Sequence, residues 1–423
     1  MGHTYGTLER RLESFLEDHL DGLENEERVE ALSWYCQGLG IPTPDKTVRS
    51  MAIAQSPKSV EARRQRMQRA VTHGRFSHEQ VLERLQTTVF EGAAGDIDAY
   101  AIDDTGIAKK GTKSPGVHRQ YSGTMGKIDN CQVLVSFHAV SDEFSTCLGI
   151  ELYLPEAWTS SKARLDQAKV PDDRREHRTK SKIAIDLLQK AVRNGAPQRP
   201  VVADAGYGDS RDFRDAVSAI GLSYVVAVSS NTTVWPPGAE PRVPPREGKV
   251  GRPFSRDYDA NGQSPQRVEA IAKRYWKSGK FREVIWRQGS QKPLSGKYIA
   301  LRVKSAERRT KGRRAGPEVW LLIERDESRE SGFKYYLSSF PETTSLKKLV
   351  RTAKVRWRIE RDYRDLKQKL GFDRYEGRTW GGLHRHLAMA ALLHAFLSIH
   401  REAFSPGPDE SMDLDKESKR ARD

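Results

Sequence analysis

Apolar residues recur at helical spacing over residues 5–92, so that 5–20, 28–39, 59–71 and 77–90 each read as a helix. Ser59 and Ser77 stand where N-caps belong, and Ser77 with Gln80 completes a capping-box pattern. From residue 97 the period shortens to that of strands. Residues 97–106 read as a buried strand ending in two carboxylates and a turn. Residues 130–140 and 145–154 read as two more strands, the last closed by Pro155, and three in a row predict an antiparallel meander. The charge-dense stretch 166–179 reads as a surface loop. Residues 180–194 then predict an amphipathic helix with Ile183, Leu187, Leu188 and Ala191 inward and Gly195 as its stop. A short strand at 199–204, a helix at 209–220 and a strand at 223–228 complete a mixed α/β block.

The pattern breaks at Ser229. Residues 229–265 are rich in Pro, Gly, Ser and Arg, and strand-like runs follow at 281–287, 297–304 and 319–324, with a basic loop at 308–314. The strand-like residues 334–339 are expected to return to the main sheet, 345–370 to be helical with room for a break, and 383–402 to form an apolar helix. The organisation expected is a helical N-terminal region at 1–92, which puts a DNA-reading helix-turn-helix beside a plain bundle with a charged surface as equal alternatives. An α/β domain in two parts follows at 93–228 and 333–403, interrupted by a β-rich insertion at 229–332, with a polar, disordered tail at 404–423.

Charge sharpens this picture. The 423 residues carry a formal net charge of +15 with a pI of about 9.6, a balance that favours a polyanionic partner, nucleic acid before membrane. No stretch approaches the roughly 20 apolar residues of a membrane span, and the opening residues lack an apolar signal-peptide region. Three widely spaced cysteines, Cys36, Cys131 and Cys147, show neither a zinc pattern nor a disulfide framework, so a reducing cytoplasm is expected.

The candidate chemistry lies in acids far apart in sequence. Asp103 and Asp204 stand at the ends of apolar runs, where side chains leave a sheet. Glu360 lies in 355–370, where Val355, Ile359, Tyr363, Leu366 and Leu370 share one helical face, and Arg356, Glu360, Arg364 and Lys367 form a stripe beside it. On its own that stripe is better explained by a solvated charged face with i,i+4 pairs. Three converging carboxylates repel unless cations sit among them, and oxygen-only ligands suit Mg²⁺ or Mn²⁺.

Four blocks in order resemble the DDE-type transposases of bacterial insertion sequences, in the RNase H-like superfamily. Ile102-Asp-Asp-Thr-Gly, followed by Lys109-Lys-Gly and by Gly116-Val-His-Arg-Gln-Tyr-Ser-Gly, is similar to the first-acid block. Val202-Ala-Asp-Ala-Gly-Tyr-Gly is similar to the second. Trp320-Leu-Leu-Ile-Glu and Tyr335-Tyr-Leu-Ser resemble the strands before the third. Arg356, Glu360 and Lys367 match the family's Tyr-x2-Arg-x3-Glu-x6-Lys signature, although Ala353 stands at its Tyr position.

The resemblance implies an RNase H-like mixed sheet with flanking helices, interrupted by a mainly β insertion. It makes Asp103, Asp204 and Glu360 the metal-binding triad, favouring Asp103 over Asp104. Arg356 and Lys367 would hold DNA phosphates, with Arg364 on the same stripe, and Mg²⁺ would be the ion, with Mn²⁺ able to substitute. The implied activity is cutting an element's ends and joining the 3′-hydroxyls to target DNA, by a dimer acting on double-stranded terminal repeats in the bacterial cytoplasm, associated with the nucleoid. Lys109, Lys110, Lys113, His118 and Arg119, on a polar loop, are further candidates for DNA contact. A nuclease of the same fold without strand transfer, and a non-catalytic DNA-binding descendant, are the alternatives. Trp235, Trp276 and Trp286 are expected to pack rather than to stack on bases, and His384 and His386 to bind no metal.

Overall fold

The structure is a computed structural model that describes residues 2–43, 45–242, 257–259, 261–288, 293–306 and 315–401. The basic loop 308–314, the tail from 404 and the middle of the proline-rich stretch lie outside the described residues. The chain forms two compact units, one from Met1–Leu85 with Arg364–Asp423 and one from Gln86–Tyr363.

In the first unit the four expected helices are present at Gly2–Leu20, Glu26–Gly40, Val60–His73 and His78–Gly92, the last running on into the second unit. A further helix, Val48–Gln55, had no sequence expectation; it is only eight residues long, capped by the Thr47 side chain on the Ser50 N–H. Ser59 makes no side-chain cap, and Ser77 accepts from the Glu79 N–H rather than closing a box with Gln80. The apolar helix at the C-terminal end, Trp380–Ile399, is buried almost all round, as a helix at the centre of a bundle must be. Polar residues near its start are hydrogen-bonded: His386 Nδ1 lies 2.9 Å from the Tyr35 hydroxyl, and Arg385 Nε donates to the Val71 carbonyl at 2.7 Å. These are core histidines and a core arginine. The basic run of the Val60–His73 helix is also engaged at home. Arg63 and Arg66 lie over the Trp34 ring at 3.8 and 4.5 Å, and Arg64 pairs with Glu61.

The second unit is built on one mixed sheet. Its first strands are β1 (Ala99–Ala108), β2 (His118–Ser122), β3 (Lys127–Val140), β4 (Ser145–Tyr153), β5 (Val201–Ala203) and β6 (Tyr224–Val228). β1 and β4 each pair antiparallel with β3, while β5 lies parallel to β1 and β6 parallel to β5, so the order is β4-β3-β1-β5-β6. Three antiparallel strands followed by two parallel ones is the RNase H-like arrangement that the sequence implied. The parallel step needs a crossover, which the Lys180–Arg193 helix supplies, with Ile183, Leu187, Leu188 and Ala191 buried as expected.

Two sequence expectations change here. β1 does not end at its two acids; it runs on to Ala108, because Asp103 to Ala108 keep pairing with Ser136 to Cys131. His118 and Arg119 are not in a loop but in β2, paired with β3. The insertion also carries a helix, Val268–Lys277, which buries Val268, Ile271 and Ala272. Its longer strands, Leu294–Ser305 and Glu318–Arg325, form no sheet of their own. They join through Phe333–Ser338, which pairs antiparallel with β6, and so extend the main sheet. The tryptophans pack as expected: Trp235 is buried, Trp286 meets Tyr298 edge-on, and Trp276 meets Phe281 edge-on.

The short Ala205–Gly208 helix after β5 presses directly on β6. A Cβ at Gly208 would stand 1.9 Å from the Ala227 carbonyl oxygen, a backbone atom that cannot swing aside. Gly208→Ala is therefore expected to destabilise this unit by about 1–3 kcal/mol, the range of core overpacking, read as a lower urea midpoint.

Candidate active site

The sheet decides where the acids go. β1 and β5 run parallel, and their last paired residues are Ile102 and Ala203. Asp103 and Asp204 are each the next residue on, so the register alone carries both to the same level of adjacent strands. Asp204 leaves the strand there and its carboxylate accepts from the Gly206 N–H at 2.9 Å. Alternation along β1 sends Asp103 and Asp104 to opposite faces. Asp103 accepts from Arg356 at 2.9 Å, whereas Asp104 accepts from Lys180 at 2.9 Å, at the start of the crossover helix.

Glu360 comes from the stretch 345–370, expected as a helix with room for a break. Here it is two, Leu346–Val355 and Trp357–Gln368, with Arg356 at the break. The apolar face is as expected, with Val350, Val355, Ile359 and Tyr363 buried against Ala99, Ala101, Val202 and Val225 of the sheet. That packing turns Arg356 toward Asp103. Its other nitrogen donates to Glu360 at 2.8 Å, one helical turn on. Arg356 thus bridges Asp103 and Glu360, with Asp204 near enough to act on both Asp103 and Arg356.

Electrostatics follow from this crowding. Burial pushes the Asp103 carboxyl up to about 7; Arg356 opposes the shift, while Asp204 and Asp104 add to it. Asp204 is raised as well, by burial first and then by Asp104, again against Arg356. Among the described residues, no three acids, histidines or cysteines are gathered at the spacing of ligands to one ion; the acids are gathered round a guanidinium instead. The donor set nevertheless fits a divalent cation, being oxygen-only and short of positive charge. A further sign is the Tyr207 hydroxyl, which is buried without a hydrogen-bond partner among the described residues. Its pKa is driven well above normal by burial and by Asp104, Asp103 and Asp204, so it stays a donor facing acids.

The other expected contact residues are spread out. Lys110 and Lys113 are exposed on the link after β1, Lys109 is half-buried there, and His118 and Arg119 lie on β2. Arg364 and Lys367 follow on the Glu360 helix, in the part assigned to the helical unit. Sequence reasoning missed Tyr207 and a buried polar network behind Glu360. His138 Nδ1 lies 2.7 Å from Asp362, whose other oxygen accepts from Ser145 at 2.6 Å. Ser136 joins His138 at 2.9 Å and the Tyr363 hydroxyl at 2.6 Å. Ser136 is also the cross-strand partner of Asp103, and a bulge between Phe137 and His138 sets the strand beside it. The network therefore fastens the Glu360 helix to β3 and β4 at the level of the first acid. The signal available in sequence was only His138 within an apolar strand and Asp362 two places after Glu360, neither of which announces a partner.

Removing one member of the buried pair strands the other. Asp362→Ala is expected to cost about 3–5 kcal/mol in chemical denaturation. Replacing both members, His138→Leu with Asp362→Leu, is expected to recover most of that loss, giving a large coupling energy in the double-mutant cycle.

The profile of the DDE superfamily endonucleases matches residues 18–293, a span that contains Asp103 and Asp204 and stops before Glu360. A protein of Microchaete diplosiphon described as a probable transposase for insertion sequence element IS701 is 36% identical over 131 residues. That stretch is 31% of this chain and 31% of the relative, so the match spans about a third of the relative's length. With its sheet order, its acids in register on neighbouring strands and a profile match over most of its length, the chain belongs to the DDE superfamily endonucleases.

Proposed function

We propose that this chain is the transposase of an insertion sequence, cutting the element's ends in double-stranded DNA and joining the freed 3′-hydroxyls to target DNA. The observation that carries the reading is the meeting of Asp103, Asp204 and Glu360 about Arg356. The likeness to a probable transposase supports it. DDE superfamily endonucleases generally use divalent metal ions. In this reading Asp103, Asp204 and Glu360 hold Mg²⁺, with Mn²⁺ able to substitute. Bound ions of this kind supply the positive charge that activates a water or sugar hydroxyl and stabilises a leaving oxygen.

The chain's own residues do the rest. Asp103 is favoured over Asp104 as the first acid because it shares Arg356 with Glu360, while Asp104 is held by Lys180 on the other face. Arg356 orients Glu360 and is placed to hold a DNA phosphate when Asp103 is otherwise engaged. Tyr207 offers a hydroxyl to a phosphate oxygen or a water. Lys109, Lys110, Lys113, His118, Arg119, Arg364 and Lys367 bind the DNA backbone. Two ends must be brought together, so the working form is a homodimer, acting in the cytoplasm on the nucleoid. Among the described residues no helix is long and apolar enough to cross a membrane.

An endonuclease without strand transfer is the second reading, since the same acids serve both reactions. Incubating the protein and Mg²⁺ with DNA carrying the element's own flanking sequences separates them. Joined products are expected; cut ends that are never joined would leave only the nuclease. Glu360→Gln is expected to bring cleavage to background with little change in DNA affinity, and cleavage surviving it would remove Glu360 from the site. Lys367→Ala is expected to weaken DNA binding and to lower the slope of log affinity against log salt by about one.

A further inference from the structure

Beyond the part of β3 that pairs with β1, β3 and β2 continue as a two-stranded ribbon whose open face is apolar at its centre. Tyr121 and Ile128 are direct cross-strand partners, 61% and 59% exposed. Alternation puts Arg119 and its partner Asn130 on the same face. Side by side on a strand pair, these two large side chains leave most of their surface uncovered by the described residues.

The ribbon is held in place. Its turn, Gly123–Met125, is tied to β1, where the Thr124 hydroxyl lies 3.1 Å from that of Thr105 and accepts from the Gly106 N–H at 3.2 Å. At the other end Asn130 donates to the carbonyl of Gly111 at 3.0 Å and accepts, through its own carbonyl, from the Lys109 N–H at 2.9 Å. The lysine-bearing link is thus laced to the base of the ribbon.

Charge identifies the partner. From Ala108 to Asn130 the chain carries Lys109, Lys110, Lys113, Arg119 and Lys127, against Asp129 alone. Asp129 itself pairs with Lys127 at 3.1 Å and lies within reach of Arg119. A second copy would bring the same cations to this face and be repelled, whereas a polyanion would be drawn in. A two-stranded ribbon is of a size that the major groove of DNA admits.

Register gives the distance. Ser136 lies opposite Asp103, and Ile128 is eight residues from it along β3. That run is not straight, because the turn comes back to Thr105 and Gly106 on β1 and Ser122, the partner of Lys127, lies against Gly106, so Ile128 stands within about 20 Å of Asp103, or roughly six base pairs at about 3.4 Å each.

We propose that the β2–β3 ribbon is a DNA-docking surface, seating Tyr121 and Ile128 in a groove of the duplex within about six base pairs of the cut, with Lys109, Lys110, Arg119 and Lys127 on the flanking phosphates. The location rests on the reading that the chain cuts DNA at Asp103, Asp204 and Glu360.

The test uses the full chain and DNA bearing 5-iodouracil at single positions outward from the cut, with photocrosslinking and affinity measured together. Wild-type crosslinks are expected to peak within about six base pairs of the cut. In Tyr121→Ser with Ile128→Ser that peak disappears and affinity falls about tenfold, within the range of one lost base–aromatic contact. The salt slope stays as it was, because no charge has been removed. Both side chains are exposed, so thermal stability is expected to be unchanged, and circular dichroism confirms the fold. Unchanged crosslinks and affinity in the double variant overturn the proposal, as does a DNA-free dimer that the same substitutions dissolve. A wild type that binds and crosslinks but never cuts would sink the functional reading and leave the ribbon's contact with DNA standing.

Discussion

One guanidinium holds the candidate site together. Arg356 sits where one helix stops and the next begins, and it reaches an acid of the sheet on one side and an acid of its own helix on the other. Without a cation there, burial and mutual repulsion would keep Asp103 and Asp204 largely protonated or force them apart. Everything that places Arg356 therefore bears on the chemistry: the break after Val355, the apolar face below it and the sheet against which that face packs.

The polar network behind Glu360 bears on the same point from the other side. Helix packing by apolar contact alone tolerates slips and rotations, because one methyl group can replace another at little loss. A buried imidazole and carboxylate in a mostly apolar layer do not tolerate them, since any slip leaves a charge without its partner. His138 and Asp362 hold the helix to a single rotation, the one that points Glu360 toward Arg356.

Much of this was legible in the sequence. The strands and helices that carry the acids follow from hydrophobic period, and the spacing of Arg356, Glu360 and Lys367 on one helix stripe follows from its pitch. Their assignment as a site leaned on the resemblance in four blocks. What the sequence hid has identifiable causes. β1 looked finished at Asp103 and Asp104 because two carboxylates interrupt an apolar run, yet its backbone keeps pairing with β3 regardless of side-chain charge. β2 looked like a loop because its outward residues are polar on one side and its apolar Tyr121 faces solvent, so no buried period marks it. The Val48–Gln55 helix is too short for periodicity to speak. The hydrogen bonds from Ser136, His138 and Ser145 to Tyr363 and Asp362 join positions more than two hundred residues apart, which no local pattern encodes.

The way the insertion joins the sheet has a consequence of its own. β6 is apolar, and its outer backbone groups are taken up by Phe333–Ser338, which in turn is covered by Glu318–Arg325. The inserted segment is therefore the hem of the sheet, sewn along an edge that would otherwise fray. Shortening the gene between residues 229 and 332 would strip that hem and bare the outer edge of Phe333–Ser338, and chains cut this way would be prone to zip to one another along it and fall out of solution.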